Sequence, residues 1–467
     1  MKRIVVLLFC LLLALGCTSE QQPKYVFYFI GDGMGINQVR GTEIYNQATG
    51  NGPETINFSQ FPVQTYVTTH SASALVTDSA AAGTALATGV KTNNSSLGVD
   101  PDGLPLPDLS EWAKAAGVGV GVITTVGINH ATPAAFYAHV EKRNMYEDIS
   151  VQYMTAGVDF GAGSAFLMNK KTERTPADYE KMAQENGITV LKGPDFSGVE
   201  EIDGRVLCLS GKQQTDLPYA IDRQEGDTQL SDFVSAGISY LERHFEKEGF
   251  FVMIEGGKID YSGHANDAAT TFQETNDMAY SVDLALAFME RHPKQTLIVV
   301  TADHETGGLM LGAGEYLMHP ERLTWQTASS VELTARFRET FFPEDKPYKA
   351  PSWDDVKDFF ACQLGLWEQV EVSDEAEDKL KEVYQQTFGK GGDRDLGAVN
   401  LYSVNAKMVA EAIRCLDMAA CYQYSHGSHS GSPVGLYAIG TGAEAFGSLK
   451  DNTEIAPTLA AVAGYRR

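Results

Sequence analysis

The chain has 467 residues, of which 43% are hydrophobic, and it carries a formal net charge of −25 at pH 7. This length and apolar content suffice for a large hydrophobic core, and length alone allows about three domains. The strong negative charge argues against nucleic acid as a partner, because binding a phosphate backbone requires a basic surface.

The first residues have the pattern of an export signal. Lys2 and Arg3 precede an apolar run over 4–15 that is too short to span a membrane, and small residues lead to Cys17. The stretch "ALGC" resembles a bacterial lipobox, in which the cysteine is acylated. We therefore predict a signal peptide over 1–16, a lipid anchor at Cys17, and a periplasmic or cell-envelope lipoprotein of a bacterium.

Four further cysteines follow, namely Cys208, Cys362, Cys415 and Cys421. In an oxidising compartment they allow three disulfide pairings, and the sequence does not choose among them. Within a single helix the Cα atoms of Cys415 and Cys421 would be roughly 9 Å apart, too far for a disulfide bond. These two residues could pair only if a helix ends between them.

Four apolar runs predict the strands of a sheet. They are "KYVFYFIGDG" at 24–33, "GVGVITTV" at 119–126, "GFFVMIEG" at 249–256 and "QTLIVVTADHE" at 295–305. Because the runs scarcely alternate with polar residues, they fit strands buried on both faces, which is typical of a parallel sheet. With helical stretches between them, they predict an α/β fold with a doubly wound, mostly parallel central sheet flanked by helices. Ligands of such sheets gather at the carboxyl ends of the strands, where Asp32, Glu255 and Asp303 lie.

The turn "GDGMG" at 31–35 follows the first predicted strand. It lacks the G-x-G-x-x-G spacing of a dinucleotide-binding loop, and an Asp in the turn would repel pyrophosphate. Asp32 fits better as a metal ligand at the end of the strand, with the glycines giving close access to the backbone.

Two stretches predict buried helices. "VTDSAAAGTALATG" at 76–89 consists almost entirely of small residues, which indicates a helix that packs closely between its neighbours. The helix would start at Asp78 and Ser79, which fits an N-cap. Taken alone, this start indicates a helix cap and no function. In 267–292, apolar residues recur at steps of three, four and seven, the pattern of a helix with one buried side.

Residues 320–424 have a different character, since helical patterns dominate them. Ser352 and Asp355 form a helix-capping signal there, and the apolar run at 434–440 then returns to the sheet. The sequence therefore predicts, in chain order, the signal peptide over 1–16, an α/β domain over 17–319, a cap-like helical insertion over 320–424, and the rest of the α/β domain over 425–467.

Three polar motifs contain candidate metal ligands. In "EGGKIDYSGH", Asp260 and His264 are four residues apart, so a helical turn can bring both onto one metal. In "TADHETGG", Asp303 and His304 are adjacent and can serve one site only where the strand ends. "YSHGSHSGSP" adds His429 in a loop. Each motif alone is equally well explained by solvated polar residues.

Together these motifs resemble those of the alkaline phosphatase family. "VTDSAAAGTA" matches the signature around that family's nucleophile, and "HATPAAFYAHVEKR", "EGGKIDYSGH", "TADHE" and "HSGS" follow in the family's order. The resemblance covers roughly 25–310 and 425–440. It implies an exported homodimeric phosphomonoesterase of broad specificity, which acts through a phosphoserine intermediate with two Zn²⁺ ions and one Mg²⁺ ion.

The resemblance also implies roles for individual residues. Ser79 matches the nucleophile, and Arg143 matches the clamp that binds the phosphate. The matching metal ligands are Asp260, His264 and His429 for one zinc ion, Asp32, Asp303 and His304 for the other, and Thr132 and Glu255 with Asp32 for magnesium. His130 and Tyr261 stand beside these ligands, where the best-known bacterial branch has Asp and Lys. The missing Asp predicts looser binding of magnesium, and the missing Lys predicts easier product release.

The chemistry of these residue types agrees with the implied roles. A serine hydroxyl becomes a good nucleophile when a bound metal promotes loss of its proton, and arginine offers a planar fork to two phosphate oxygens. Two alternatives stay open: a phosphodiesterase of the same superfamily, or a catalytically silent metal- or phosphate-binding lipoprotein. A phosphodiesterase would more naturally lack Arg143, and a silent binder would not need Ser79 beside a complete set of metal ligands.

Overall fold

The computed structural model describes residues 22–169, 173–211, 217–312, 314, 316–343, 348–389, 397–399 and 404–465. The predicted signal peptide over 1–16 and the predicted lipid anchor at Cys17 lie outside the described residues. Within the described ranges, no helix combines the length and the apolar character needed to cross a membrane.

The described residues form fifteen strands and fourteen α-helices. The strands are β1 (Tyr25–Gly31), β2 (Val63–Val67), β3 (Gly119–Thr124), β4 (Phe160–Gly163), β5 (Ile188–Lys192), β6 (Arg205–Leu209), β7 (Phe250–Gly256), β8 (Thr296–Ala302), β9 (Glu305–Thr306), β10 (Leu309–Leu311), β11 (Gly397–Val399), β12 (Val404–Ala406), β13 (Tyr422–Tyr424), β14 (His429–Ser430) and β15 (Val434–Gly440). The α-helices are α1 (Ile36–Thr49), α2 (Ser79–Thr88), α3 (Leu109–Ala115), α4 (Ala131–Ala134), α5 (Tyr146–Tyr153), α6 (Pro176–Glu185), α7 (Leu230–His244), α8 (Lys258–His264), α9 (Ala268–Arg291), α10 (Ser330–Phe341), α11 (Trp353–Leu364), α12 (Asp374–Phe388), α13 (Lys407–Ala419) and α14 (Ile455–Ala463). Short 3-10 helices cover Asn57–Gln60, Val199–Glu201, Ala220–Asp222, Pro320–Trp325, Ala443–Phe446 and Asn452–Glu454.

Nine of these strands form the central sheet, in the order β2-β15-β8-β1-β7-β3-β4-β6-β5. The seven strands from β8 to β5 pair in parallel, whereas β15 pairs antiparallel with both β8 and β2. Parallel neighbours require crossover connections, and the flanking helices supply them. The predicted α/β fold with a doubly wound, mostly parallel sheet is therefore confirmed.

The four apolar runs correspond to β1, β3, β7 and β8, which lie side by side in the middle of the sheet. Every residue of these four strands is buried, and this is why the runs lack polar alternation. Strands β2, β4, β5 and β6 were not predicted. Two of the four residues of β4 are glycines, and β5 is only half buried, so neither has a strong apolar pattern.

The register of the three central strands fixes where the polar residues lie. Gly31 at the end of β1 pairs with Gly256 of β7 and with Ala302 of β8. As a result, Asp32, Glu255 and Asp303 all lie at the carboxyl edge of the sheet, within one residue of this shared level. This is the edge at which ligands of open α/β sheets bind.

Helix α2 is the predicted helix of small residues, and all ten of its residues are buried. Asp78 is its N-cap, and the side chain of Asp78 accepts a hydrogen bond from the backbone N–H of Ala81 at 3.1 Å. A Cβ atom added to Gly83 would lie 3.2 Å from the Cβ atom of Ala135 and 3.4 Å from the Cα atom of Thr132. The small side chains thus let α2 pack closely against the segment that contains α4.

The region 320–424 contains helices α10 to α13, and its buried side chains form a second hydrophobic cluster that includes Phe337, Phe360 and Leu416. The capping signal is present as a capping box between Ser352 and Asp355 at the start of α11. The domain boundaries at 320 and 424 stay predictions.

The four cysteines beyond the predicted signal peptide form no disulfide bond in the part of the chain that the structure describes. Helix α13 ends at Ala419, between Cys415 and Cys421, so the two cysteines do not share a helix. Cys208, Cys415 and Cys421 are buried, whereas Cys362 is exposed. Burial raises the pKa of the Cys208 and Cys415 thiols to about 12, which makes these two unreactive at neutral pH.

We expect Gly83→Val to lower the free energy of unfolding by about 1–3 kcal/mol, because added side-chain atoms must force α2 away from Ala135. Ala48→Val makes a β-branched change at an exposed position of α1 and should cost no more than about 0.5 kcal/mol. Denaturant unfolding monitored by circular dichroism measures both values. Equal stability of the two variants would contradict the close packing of α2.

Candidate metal centre

Three overlapping groups of potential metal ligands lie at the carboxyl edge of the sheet. The groups are Asp32 with Asp303 and His304, Asp260 with His304 and His429, and Asp32 with His130 and Glu255. Within each group, one ligand atom of each residue lies within 4.8 Å of the others. Because Asp32 and His304 each belong to two groups, the residues form one continuous centre.

The first group is held by the turns that follow β1 and β8. The Nε2 atom of His304 lies 3.4 Å from Oδ1 of Asp32 and 3.3 Å from Oδ2 of Asp303. The Oδ1 atom of Asp303 accepts backbone hydrogen bonds from Gly33 and His304, which fixes the orientation of the carboxylate. Gly33 has a φ of 74°, and a Cβ atom there would lie 2.7 Å from the Cα atom of Asp260. Only glycine fits this turn without strain.

The second group joins helix α8 to strand β14, which begins at His429. Asp260 and His264 lie one turn apart on α8, with Nε2 of His264 3.3 Å from Oδ2 of Asp260. The Nε2 atom of His429 lies 3.1 Å from Nε2 of His264 and 3.6 Å from Oδ1 of Asp260. The sequence-predicted set of Asp260, His264 and His429 is therefore brought together, with His304 stacked on His429 at 3.6 Å between ring centroids.

The tautomers of these histidines favour a cation. Nδ1 of His264 lies 2.8 Å from the carbonyl oxygen of Gly427, and Nδ1 of His429 lies 2.9 Å from that of Thr77. Since a carbonyl only accepts hydrogen bonds, each Nδ1 carries the proton and each Nε2 directs a lone pair into the centre. Metal-binding histidines have this same arrangement, in which a backbone carbonyl fixes the ring.

The third group lies around Glu255 at the end of β7. Thr124 donates a hydrogen bond to Oε2 of Glu255, and Nδ1 of His130 lies 4.0 Å from Oε1. Thr132 donates to Oδ2 of Asp32 at 3.3 Å, so Asp32 faces both this group and the first. Thr132 and Glu255 thus lie together, as the family resemblance implies.

The electrostatics of the centre indicate that it requires cations. Burial and the nearby negative charge of Asp303 raise the pKa of Asp32. Burial and the negative charge of Asp260 raise the pKa of Asp303 to about 8. Burial raises the pKa of Glu255 to about 7. Asp260 is the exception, because in the metal-free protein attraction to the protonated form of His264 outweighs burial and holds the pKa of Asp260 well below the usual range.

Buried acceptor atoms support the same conclusion. Oδ1 of Asp32, Oδ2 of Asp303 and Oε1 of Glu255 are buried and accept no hydrogen bond from the residues that the structure describes. A buried carboxylate oxygen without a donor is costly, and a bound cation removes that cost. The donor set of imidazoles and carboxylates therefore fits divalent metal ions.

Ser79 lies beside this centre as the first residue of α2, with its Oγ atom 3.2 Å from Nε2 of His304. Arg143 donates to Oδ2 of Asp78 at 3.2 Å, and its second terminal nitrogen lies 3.1 Å from Nε2 of His130. Burial and the positive charge of Arg143 lower the pKa of His130 to about 3, so this imidazole is neutral beside the guanidinium group.

Sequence reasoning missed several residues that position the ligands. Thr306 donates to Oδ1 of Asp260, Thr124 donates to Glu255, and Asp78 holds Arg143 in addition to capping α2. The threonines carry no spacing signal, since their partners lie on distant segments. Tyr261 packs edge-on against His130 with ring centroids 6.0 Å apart, consistent with the predicted place beside the ligands.

A serine at a helix N-terminus beside clustered carboxylates and imidazoles, at the carboxyl edge of a parallel sheet, defines a metal-dependent enzyme of the α/β class. A family model described as "Alkaline phosphatase" matches residues 23–166 and 205–465. The chain belongs to the alkaline phosphatase family, and it is an enzyme that hydrolyses phosphate monoesters.

Individual relatives agree with this assignment. Alkaline phosphatase 4 of Bacillus subtilis is 31% identical over 449 residues, which cover 93% of this chain and 88% of the relative. A cold-active alkaline phosphatase from a psychrophilic Shewanella has a solved structure with a TM-score of 0.74 and 27% identity, covering 94% of this chain and 99% of that one. The Thermus thermophilus alkaline phosphatase has a TM-score of 0.76 and 26% identity, covering 97% and 94%.

We expect metal-free protein to lose thermal stability as pH rises from 5 to 9. Asp303 and Glu255 have pKa values of about 8 and 7 in the folded chain, above the unfolded values near ~4. Folding therefore takes up protons between the unfolded and the folded pKa values. The stability that this proton uptake contributes is fully present below pH ~4, and it is lost as pH rises through the pKa values of the folded chain. Calorimetry of chelator-treated protein measures the change in Tm.

A matched pair of variants isolates the buried charge in this experiment. Asp303→Asn should reduce the fall in Tm between the two pH values, whereas Asp102→Asn, at an exposed position, should retain it. Zn²⁺ should raise the Tm more at pH 9 than at pH 5, because cations compete with protons for the same oxygens. An equal fall in Tm between pH 5 and pH 9 in the two variants would contradict the electrostatic argument.

Proposed function

We propose that this enzyme hydrolyses a broad range of phosphate monoesters through a phosphoserine intermediate on Ser79. The observation that carries the proposal is the position of the Ser79 Oγ atom, 3.2 Å from Nε2 of His304 at the margin of the ligand cluster. Ser79 is the first residue of α2, and helix N-termini bind anions.

The donor types support two Zn²⁺ ions and one Mg²⁺ ion. The imidazole-containing sets suit zinc, and they are Asp260, His264 and His429 for one ion and Asp32, Asp303 and His304 for the other. The oxygen-rich set of Asp32, Thr132 and Glu255 suits magnesium. When bound, these ions supply Lewis acidity, which lowers the pKa of nearby hydroxyl groups and neutralises phosphate charge.

The reaction consists of two displacements at phosphorus. Ser79 Oγ forms a bond to phosphorus as the bond to the substrate alcohol breaks, while the serine proton passes to solvent and the alcohol takes a proton from water. Water then attacks the phosphoserine, which releases phosphate and restores the hydroxyl of Ser79. Because each step inverts the configuration at phosphorus, the net result is retention.

Arg143 binds the non-bridging phosphate oxygens in this scheme. Its guanidinium group is planar and permanently charged, and it is held in place by Asp78 on one side and His130 on the other. A monoester dianion presents more free oxygens than a diester, so it gains more from a planar fork. This residue therefore provides the preference for monoesters.

We also propose that the enzyme is exported, anchored by a lipid at Cys17, and active as a homodimer. The charged and apolar pattern of the first residues supports export and the anchor. The homodimer rests on the family resemblance.

Ser79→Ala should abolish the covalent intermediate while it leaves the fold and the metal ligands in place. Incubation with ³²P-labelled phosphate at low pH should label Ser79 in the unmodified protein. The variant should remain unlabelled and hydrolyse p-nitrophenyl phosphate only slowly. Ser73→Ala, at an exposed position of the preceding loop, should label normally. A chiral phosphate monoester that reacts with inversion would contradict the two-step scheme.

Arg143→Ala should lower kcat/KM for p-nitrophenyl phosphate about 100-fold or more, equivalent to roughly 3 kcal/mol of transition-state stabilisation. The loss for bis-p-nitrophenyl phosphate should be about tenfold smaller, because that substrate fills the fork less well. Lys142→Ala removes the adjacent exposed cation and should leave both rates unchanged. Equal losses on both substrates would argue against a phosphate clamp.

A further inference from the structure

A fourth group of potential metal ligands lies outside the centre described above. It comprises Asp108, Glu111 and His139, whose ligand atoms lie within 4.8 Å of one another. Asp108 is the N-cap of α3, and Glu111 lies in its first turn. The three residues take no part in the proposed reaction.

The tautomer of His139 is fixed by the backbone. Nδ1 of His139 lies 2.8 Å from the carbonyl oxygen of Gly98, so Nδ1 carries the proton and Nε2 presents a lone pair. Gly98 has a φ of 63°, and a Cβ atom there would lie 2.9 Å from this same Nδ1 atom. The Nε2 atom lies 4.0 Å from Oε1 of Glu111. When the imidazole is neutral, two acceptor atoms thus face each other, and a cation between them would bind both.

Asp108 provides the second, independent observation. Its Oδ1 atom accepts hydrogen bonds from the backbone of Ser110 at 2.8 Å and of Glu111 at 3.1 Å, which completes the helix cap. Its Oδ2 atom is buried and accepts no hydrogen bond from any residue in the described ranges, and Asp108 as a whole is 0% exposed. The capping box therefore explains one carboxylate oxygen and leaves the other without a role.

Burial and the neighbouring Glu111 raise the pKa of Asp108 to about 8. An ionised carboxylate is costly at this place because Asp108 is buried and one of its oxygens accepts no hydrogen bond from the described residues. A cation would reduce the cost, and the formal net charge of −25 favours its uptake from solvent.

We propose that Asp108, Glu111 and His139 bind a divalent transition-metal ion, with Zn²⁺ as the best match. One imidazole nitrogen with two carboxylates suits zinc better than calcium or magnesium, which prefer oxygen ligands alone. The side chains of Glu111 and His139 are 49% and 20% exposed, so an ion can enter from solvent. Ligands of tetrahedral zinc are about 3.4 Å apart, and the half-exposed Glu111 can move by the required distance.

A metal at this place would brace the segment that carries Arg143. Val140 follows His139 and pairs with Leu97 through two backbone hydrogen bonds, and the backbone N–H of Arg143 donates to Ser95. The bound ion would join this segment to α3. Its effect would therefore be on stability and positioning, since it does not touch the substrate.

Titration of metal-free, full-length protein with Zn²⁺ tests the proposal. Glu111→Gln and Asp108→Asn preserve the carbonyl-type oxygen that the capping box needs while they remove the charges that a cation requires. Glu141→Gln, at an exposed position two residues after His139, is the matched control. The unmodified protein and the control should each bind one more equivalent of zinc than either ligand variant, by calorimetry and by elemental analysis after dialysis.

Anomalous diffraction at the zinc edge, from crystals of the unmodified protein, gives a readout that needs no variant. A peak bonded to Nε2 of His139 supports the site. Equal zinc stoichiometry in all four proteins, or a density map without such a peak, overturns it and leaves a capping box beside a histidine. Zinc bound at the active centre cancels in this comparison, because none of the substituted residues belongs to the groups of ligands there.

Discussion

The structure depends above all on the concentration of buried negative charge at one edge of the sheet. Asp32, Glu255, Asp260 and Asp303 are each 0% exposed and belong to one connected centre. Burial penalises every ionised carboxylate, and their mutual repulsion adds to that penalty. Only bound cations make such a cluster stable in its charged form. The same cations let a chain with a net charge of −25 bind an anionic substrate.

The sheet supplies the rigidity that this centre needs. Strands β1, β7 and β8 share one register, so the residues at their carboxyl ends cannot move independently. Both faces of these strands are buried, and the candidate ligands lie at the carboxyl ends of the strands. A site built at the ends of packed strands keeps its geometry better than a site built on loops alone.

The middle of the fold and most of the candidate ligands could be predicted from the sequence because their signals are local. Continuous apolar runs identify the central strands, and the spacing of Asp260 and His264 indicates a helical turn. The contacts that orient the site could not be predicted, because their partners are far apart in sequence. Thr132 and Asp32 are separated by 100 residues, and Arg143 and Asp78 by 65. Strands β4 and β5 were missed because a short strand with two glycines and a half-buried strand have no distinctive apolar pattern.

Asp78 illustrates why the proposed nucleophile Ser79 and the proposed phosphate clamp Arg143 are held as one unit. Its Oδ1 atom accepts hydrogen bonds from Ala81 in α2 and from the backbone of Ser95, while its Oδ2 atom accepts from Arg143. The backbone of Arg143 in turn donates to Ser95. One carboxylate therefore caps the helix that carries Ser79 and also fixes the guanidinium group. Because α2 is buried along its whole length, a shift of this carboxylate cannot be absorbed by the helix and must displace the clamp.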